Sequence, residues 1–256
     1  MEIIKFKLSG KTAFFKKPEV NTYYYFTYGQ IHKPALLGIF GAMLGYRGYG
    51  NVLSGNDGSI SFGKKGELPE YYQKLRKLSV GIEPCNKNGY IPKKVQIFNN
   101  SVGYASAELG GNLIVKEQWL ESPEWNIYLL NDNEESQKLK HAINNQSVIY
   151  PPYLGKNDHP ADISGITMYH GEKMQEGCRK CSRIDSLFFR EHAELDFDDE
   201  DMEERIFKYE EILPVGLKKD SLLYQLKKLV YTNVPVTCYD AQLYEIKENG
   251  KMIAFL

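Results

Sequence analysis

The segment Phe15–Gly50, FKKPEVNTYYYFTYGQIHKPALLGIFGAMLGYRGYG, constrains the fold of this 256-residue chain more than any other. Pro34 suits the first turn of a helix, where its missing N–H would be unpaired anyway and its φ is already helical. Leu36, Leu37, Ile39, Phe40, Met43 and Leu44 follow at helical spacing and make one broad apolar face. The spacing predicts a helix over about Pro34–Tyr46. Gly38, Gly41 and Gly45 recur three and four apart beside that face. Each interior glycine costs about 1 kcal/mol against alanine, so the three together imply close approach by a packed strand or by a ligand.

The rest of the chain supplies partners for this helix. Glu2–Leu8 alternates as a strand with Ile4, Phe6 and Leu8 on one face. Tyr23–Tyr28 is dense in aromatics without alternation and fits a strand or an ordered loop. Arg47–Gly66 is glycine-rich and predicts a mobile loop. Pro69–Lys77 predicts a short helix and Ser79–Glu83 a strand. Lys93–Phe98 alternates as one arm of a hairpin, while Asn112–Leu120 and Trp125–Leu130 read as strands. Glu134–Asn144 is a helix with acids in its first turn and His141 near its end. The order β-α-(insertion)-β-β-α-β is ferredoxin-like, within an α+β class. It covers residues 1–165, with an inserted hairpin at about 86–112. Residues 166–256 read as a β-rich C-terminal region, and after Tyr150-Pro151-Pro152 further strands are expected at Ile163–His170, Ile206–Leu213 and Leu226–Thr232. A hairpin is expected about Glu248-Asn249-Gly250, and an acidic insertion at Glu194–Glu204.

Charge is distributed unevenly. Residues 1–94 carry 15 Lys and Arg against 6 Asp and Glu, whereas residues 194–256 carry 8 against 14. A basic front half fits a polyanion site. Within it Lys16, Lys17, His32, Lys33 and Arg47 interleave with Tyr23, Tyr24, Tyr25, Tyr28, Tyr46 and Tyr49. Cations hold phosphates, and tyrosine faces stack unpaired bases for about 1–3 kcal/mol each. Single-stranded RNA suits that mixture better than a duplex, whose bases are stacked away.

Other chemistries find less support. There is no phosphate-binding glycine motif, no G-x-S-x-G and no HExxH. Cys178-Arg-Lys-Cys181 is a C-x-x-C flanked by His170 and His192, which raises a zinc-stabilised interaction module as one reading and an ordinary surface loop as the other. Cys85 and Cys238 read as core residues. The acidic run holds 8 carboxylates in 11 residues without the order of a calcium loop, and reads as solvated. Lys140 and His141 are adjacent on a helix and point about 100° apart, so they do not converge on one phosphate. With no apolar leader at Met1–Leu8, no apolar run near the ~20 residues of a bilayer span, and four scattered cysteines, a cytoplasmic, reduced protein is expected.

These residues resemble the N-terminal signature of the Cas-five family of CRISPR Cascade subunits. That signature is a strand, a Phe–basic–Pro segment, an aromatic and threonine-rich piece, then Pro34-Ala-Leu-Leu-Gly38-Ile-Phe-Gly-Ala42-Met-Leu-Gly45. NLIVKEQWL (Asn112–Leu120) and PPYLGKNDHPADI (Pro151–Ile163) are similar to further blocks, and the I-B subtype is the most similar. The resemblance implies an RRM-related ferredoxin-like core of the RAMP superfamily with 86–112 as its thumb. It implies a non-catalytic subunit that caps the crRNA 5′ handle in antiviral defence. Expected partners are the crRNA, the backbone and large subunits, and target DNA through the complex, with no cofactor and no membrane. The implied RNA-binding set is Lys16, Lys17, Tyr23, Tyr25, His32, Lys33, Tyr46, Arg47, Lys93, Lys94 and Lys116. A relative in the I-C branch cuts pre-crRNA with a Tyr/Lys/His set, so a metal-independent endoribonuclease is the alternative.

Overall fold

The computed structural model describes residues 1–20, 23–48, 53–54, 60–61, 68–101, 103, 107, 109, 111–175, 177, 179–197, 205–239 and 242–256. The glycine-rich run 49–67 therefore falls largely outside these residues, as do Cys178 and the acidic residues 198–204. Strand β1 (Glu2–Ser9) is the hub of a six-stranded antiparallel sheet. Its alternation puts Ile4, Phe6 and Leu8 into the main core, while Ile3 faces a second apolar cluster with Tyr128, Leu130 and Ile253. Both faces of the sheet are thus covered.

Helix α1 (Lys33–Met43) follows, then α2 (Glu70–Leu75), β2 (Val80–Pro84), the ribbon β3 (Lys93–Asn99) and β4 (Ile114–Glu121), β5 (Glu124–Leu130), α3 (Glu134–Asn144) and β6 (Asp162–Lys173). Helix α1 starts and stops as its sequence dictates. Pro34 lies in the first turn, Leu36, Leu37, Ile39, Phe40 and Met43 are buried, and Gly45 just beyond the end takes φ +73. Phe40 meets Phe6 edge to face at 6.2 Å, locking helix to sheet. Helix α3 is closed by a capping box between Asn133 and Ser136.

Strand β1 pairs with β5 on one side and β6 on the other, for example Phe6 with Ile127 and Ile4 with Met168. Strand β2 pairs with β5. The hairpin β10 (Leu243–Ile246) and β11 (Met252–Ala254) extends the sheet beyond β6, turning at Gly250 with φ +70. The spatial order is β11-β10-β6-β1-β5-β2. The sheet curls until its ends meet, because the Leu256 N–H donates to the Val80 carbonyl at 2.9 Å. Gly81 permits the approach, since a Cβ there would stand 2.5 Å from Ile253 Cγ2. Strand β7 (Ile184–Phe189) braces the junction, Ser186 accepting from the Ala254 N–H at 2.9 Å.

Two sequence expectations shift. The inserted hairpin runs over 93–121, longer than 86–112, because Ile114–Glu121 is its second arm. The alternation of that arm serves a two-faced ribbon, with Val115 and Glu117 turned inward and Ile114 and Lys116 outward. The boundary at residue 165 falls inside β6, and Leu187, Leu213 and Leu229 of the C-terminal β strands join the same core as Leu36 and Phe40. Strands β8 (Lys208–Leu217) and β9 (Tyr224–Thr232) form a ribbon beside β7. Among the described residues no helix is long and apolar enough to cross a membrane.

Candidate nucleic-acid interface

Phe15–Lys17 and Phe26–Tyr28 lie side by side as a short antiparallel ladder. Lys16 bridges Thr27, and the Lys17 N–H donates to the Phe26 carbonyl at 2.8 Å. Tyr25 is stitched in turn to the ribbon, its N–H donating to Lys116 and its carbonyl accepting from Gln118, both at 2.9 Å. The aromatic run is therefore extended and held on both sides. This ladder sends its alternate side chains in opposite directions.

On one side it opens into a cleft of about 970 Å³. Helix α1 provides the base of the cleft through Ala35, Gly38 and Ala42, and Lys16, Tyr25, Tyr46 and Tyr71 rise around it. The far wall comes from Tyr150, Tyr153 and Lys156, with Tyr224 of β9 at one end. The Lys16 ammonium lies 4.0 Å from the Tyr25 ring centroid. Lys156 reaches the Glu117 carboxylate at 3.1 Å, and Glu117 also accepts from the Trp119 indole at 2.7 Å. The loop carrying Lys156 is anchored at Gly155, whose φ is +93 and where a Cβ would stand 1.8 Å from the Phe14 carbonyl oxygen. Only glycine fits there.

On the other side the ladder faces a half-buried charge network. Lys17 pairs with Glu211 at 2.9 Å, and Glu211 accepts as well from the Tyr209 hydroxyl and the Gly29 N–H. Burial pushes the Lys93 ammonium below the usual lysine range, with the Lys17 charge adding to the fall and Glu211 opposing it. Lys17 and Lys93 thus converge away from the cleft.

The remaining expected site residues divide sharply. His32 is buried, at 2% exposure, and its Nδ1 accepts from the Ala35 N–H at 3.3 Å as the N-cap of α1. Burial pushes its imidazole down to about 3. Its ring meets Phe15, Tyr28 and Tyr224 edge-on at 5.2–5.9 Å. It borders the cleft from beneath, but at that burial it has almost no surface to offer a strand of RNA. Lys33 is pushed down to about 8 by burial and donates to the Leu256 main-chain oxygen at 2.8 Å, which ties α1 to the end of the sheet. Tyr46 donates to Glu135 at 2.6 Å under the Lys74 ammonium, with its ring on the cleft. Arg47 and Lys116 are exposed, Tyr23 is 92% exposed, and Lys94 pairs with Glu121 at 3.3 Å.

The other candidates stay apart from the cleft. Lys140 binds Glu2 at 2.9 Å while His141 bonds Asn145. Cys181 and Cys238 are buried and Cys85, expected in the core, is exposed just past the end of β2. Among the described residues no group of three His, Cys, Asp or Glu side chains could hold a metal, and Cys178 lies outside them. Sequence reasoning missed Tyr150, Tyr153, Lys156 and Tyr224. The only signal for the first three was their place around the Pro151–Ile163 block.

No family model matches the chain, and no curated protein matches it. Among solved structures, a chain of a CRISPR RNA-guided surveillance complex aligns over 92% of this chain and 90% of its own, at 10% identity and a TM-score of 0.50. A CRISPR protein from Archaeoglobus fulgidus aligns over 99% of both chains at 11% identity and a TM-score of 0.48. A sheet-rich mixed α/β chain that carries a tyrosine-lined cleft thus shares its fold with a component of an RNA-guided complex.

Proposed function

We propose that this chain is a Cas-five-like subunit of a type I Cascade, most similar to the I-B branch, that holds the crRNA 5′ handle. In this reading β1-α1-β2-β5-α3-β6, with sheet order β6-β1-β5-β2, is a ferredoxin-like RAMP core and the β3–β4 ribbon is its thumb. The observation that carries it is the cleft, where tyrosines outnumber cations and Lys16 and Lys156 stand at the walls. Such a surface suits unpaired bases joined by a charged backbone. The subunit seats the backbone and large subunits and meets target DNA through the complex, in the cytoplasm. It binds without cutting. A histidine held neutral inside the core and used as a helix cap is a poor general acid or base for pre-crRNA processing.

The decisive experiment is to purify the protein with its co-expressed complex and sequence the RNA that accompanies it. Recovery of crRNA with one fixed 5′ end is expected. RNA of scattered ends, or none, would falsify the assignment. Incubating the purified chain with repeat RNA in EDTA tests the second half, and cleavage there would restore the ribonuclease alternative.

A further inference from the structure

Helix α1 is buried nearly all round. Of its eleven residues only Lys33, Ala35, Gly38 and Ala42 retain partial exposure, and the last three face the cleft. Pro34 and Ile39 border the cleft as well but are buried, so no exposed side chain longer than a methyl rises from that strip. Packing among the described residues does not explain its glycine, because a Cβ at Gly38 would meet none of them within 4 Å, whereas one at Gly41 would stand 2.4 Å from Tyr71 Cβ. An interior glycine weakens a helix, so a position with open space above it among the described residues fits a surface kept clear for a ligand. Charge narrows the choice. The lysines of the cleft are Lys16, already over Tyr25, and Lys156, already on Glu117. A phosphate drawn inside would meet the Glu117 carboxylate as well as the lysines. Flat apolar rings fit better between tyrosine faces and bare helix.

Resting on the RNA-binding reading, we infer that the cleft admits nucleobases rather than backbone, laid flat on Ala35, Gly38 and Ala42, while the phosphates stay at the rim. A volume near 970 Å³ is at the upper end for small-molecule sites and accommodates more than a single ring. Gly38 is then a specificity-determining residue, since any larger side chain occupies the place of a base.

The test uses fluorescence anisotropy with a random-sequence single-stranded RNA of about ten nucleotides and an abasic strand of the same length. Gly38→Phe is expected to weaken intact RNA at least about tenfold and to leave the abasic strand unaffected. Wild-type protein should itself bind the abasic strand at least about tenfold more weakly than intact RNA. If wild-type protein binds both strands alike, or Gly38→Phe loses both equally, the bases are outside and the inference fails while the RNA-binding reading stands. If wild-type protein binds neither strand, that reading fails too. Should Gly38→Phe not fold, as judged by circular dichroism, the wild-type comparison of the two strands still decides.

Discussion

A histidine that caps a helix from inside a core does so only while it is neutral. His32 accepts through Nδ1, and a proton there removes the acceptor and places a charge among Phe15, Tyr28 and Tyr224. Its folded value near 3 lies below its ordinary 6.5, so the unfolded chain takes up the proton first as pH falls. Its contribution to stability is intact above about pH 6.5 and declines toward pH 3, at up to about 1.4 kcal/mol per unit. Buried His159 is lowered as well and acts in the same direction. Urea melts at pH 7 and pH 5 should therefore show a smaller loss for His32→Asn than for wild type, with a remainder from His159. An equal loss in both proteins would mean His32 is protonated in the fold. Sequence alone assigned His32 and Lys33 to RNA because they adjoin tyrosines. Histidine is not among the usual capping residues, and nothing local distinguishes a buried lysine from a solvated one.

At the scale of elements, the glycines of α1 were legible as a pattern but not as three separate roles. Gly38→Ala should stabilise the protein by about 1 kcal/mol, since the added methyl enters open space and improves helix propensity. Gly41→Ala should do the opposite by about 1–3 kcal/mol, because α1 must back away from Tyr71. Thermal melts of the pair give a sign change that a uniform packing stripe would not produce. Gly155→Ala is the most damaging of the set, expected at about 2 kcal/mol or more, since φ +93 is strained for alanine and the methyl collides with the Phe14 carbonyl. It should weaken RNA binding beyond its effect on the melt, because the same loop carries Tyr153 and Lys156. The strands, helices and terminal hairpin could be read from periodicity and turn residues. The ribbon was misjudged because its two arms are separated by residues whose pairing no local pattern reveals.

For the whole molecule, electrostatics separates the two sides of the ladder. Lys16→Ala should weaken RNA binding and reduce the slope of log K against log salt by about 0.7, and Arg47→Ala should act alike. Lys17→Ala should instead destabilise the fold, since it leaves the Glu211 carboxylate short of its cation. Slopes unchanged in both Lys16→Ala and Arg47→Ala would count against these cations as phosphate contacts. The sequence marked the near wall of the cleft, where residues 14–46 are contiguous. It could not mark the far wall, which arrives from residues 150–156 and 224 through tertiary pairing alone. That geometry also dictates when the molecule can form. The central strand β1 precedes both of its neighbours in the chain, which lie at residues 124–130 and 162–173. The contact that joins the ends of the sheet waits for residue 256. High contact order predicts slow folding, in milliseconds to seconds. Phe6 can meet Phe40 of α1 early, whereas Ile3 lacks its partners Tyr128, Leu130, Tyr244 and Ile253 until those far later residues are made, so this second face of β1 is the last to be covered in a nascent chain.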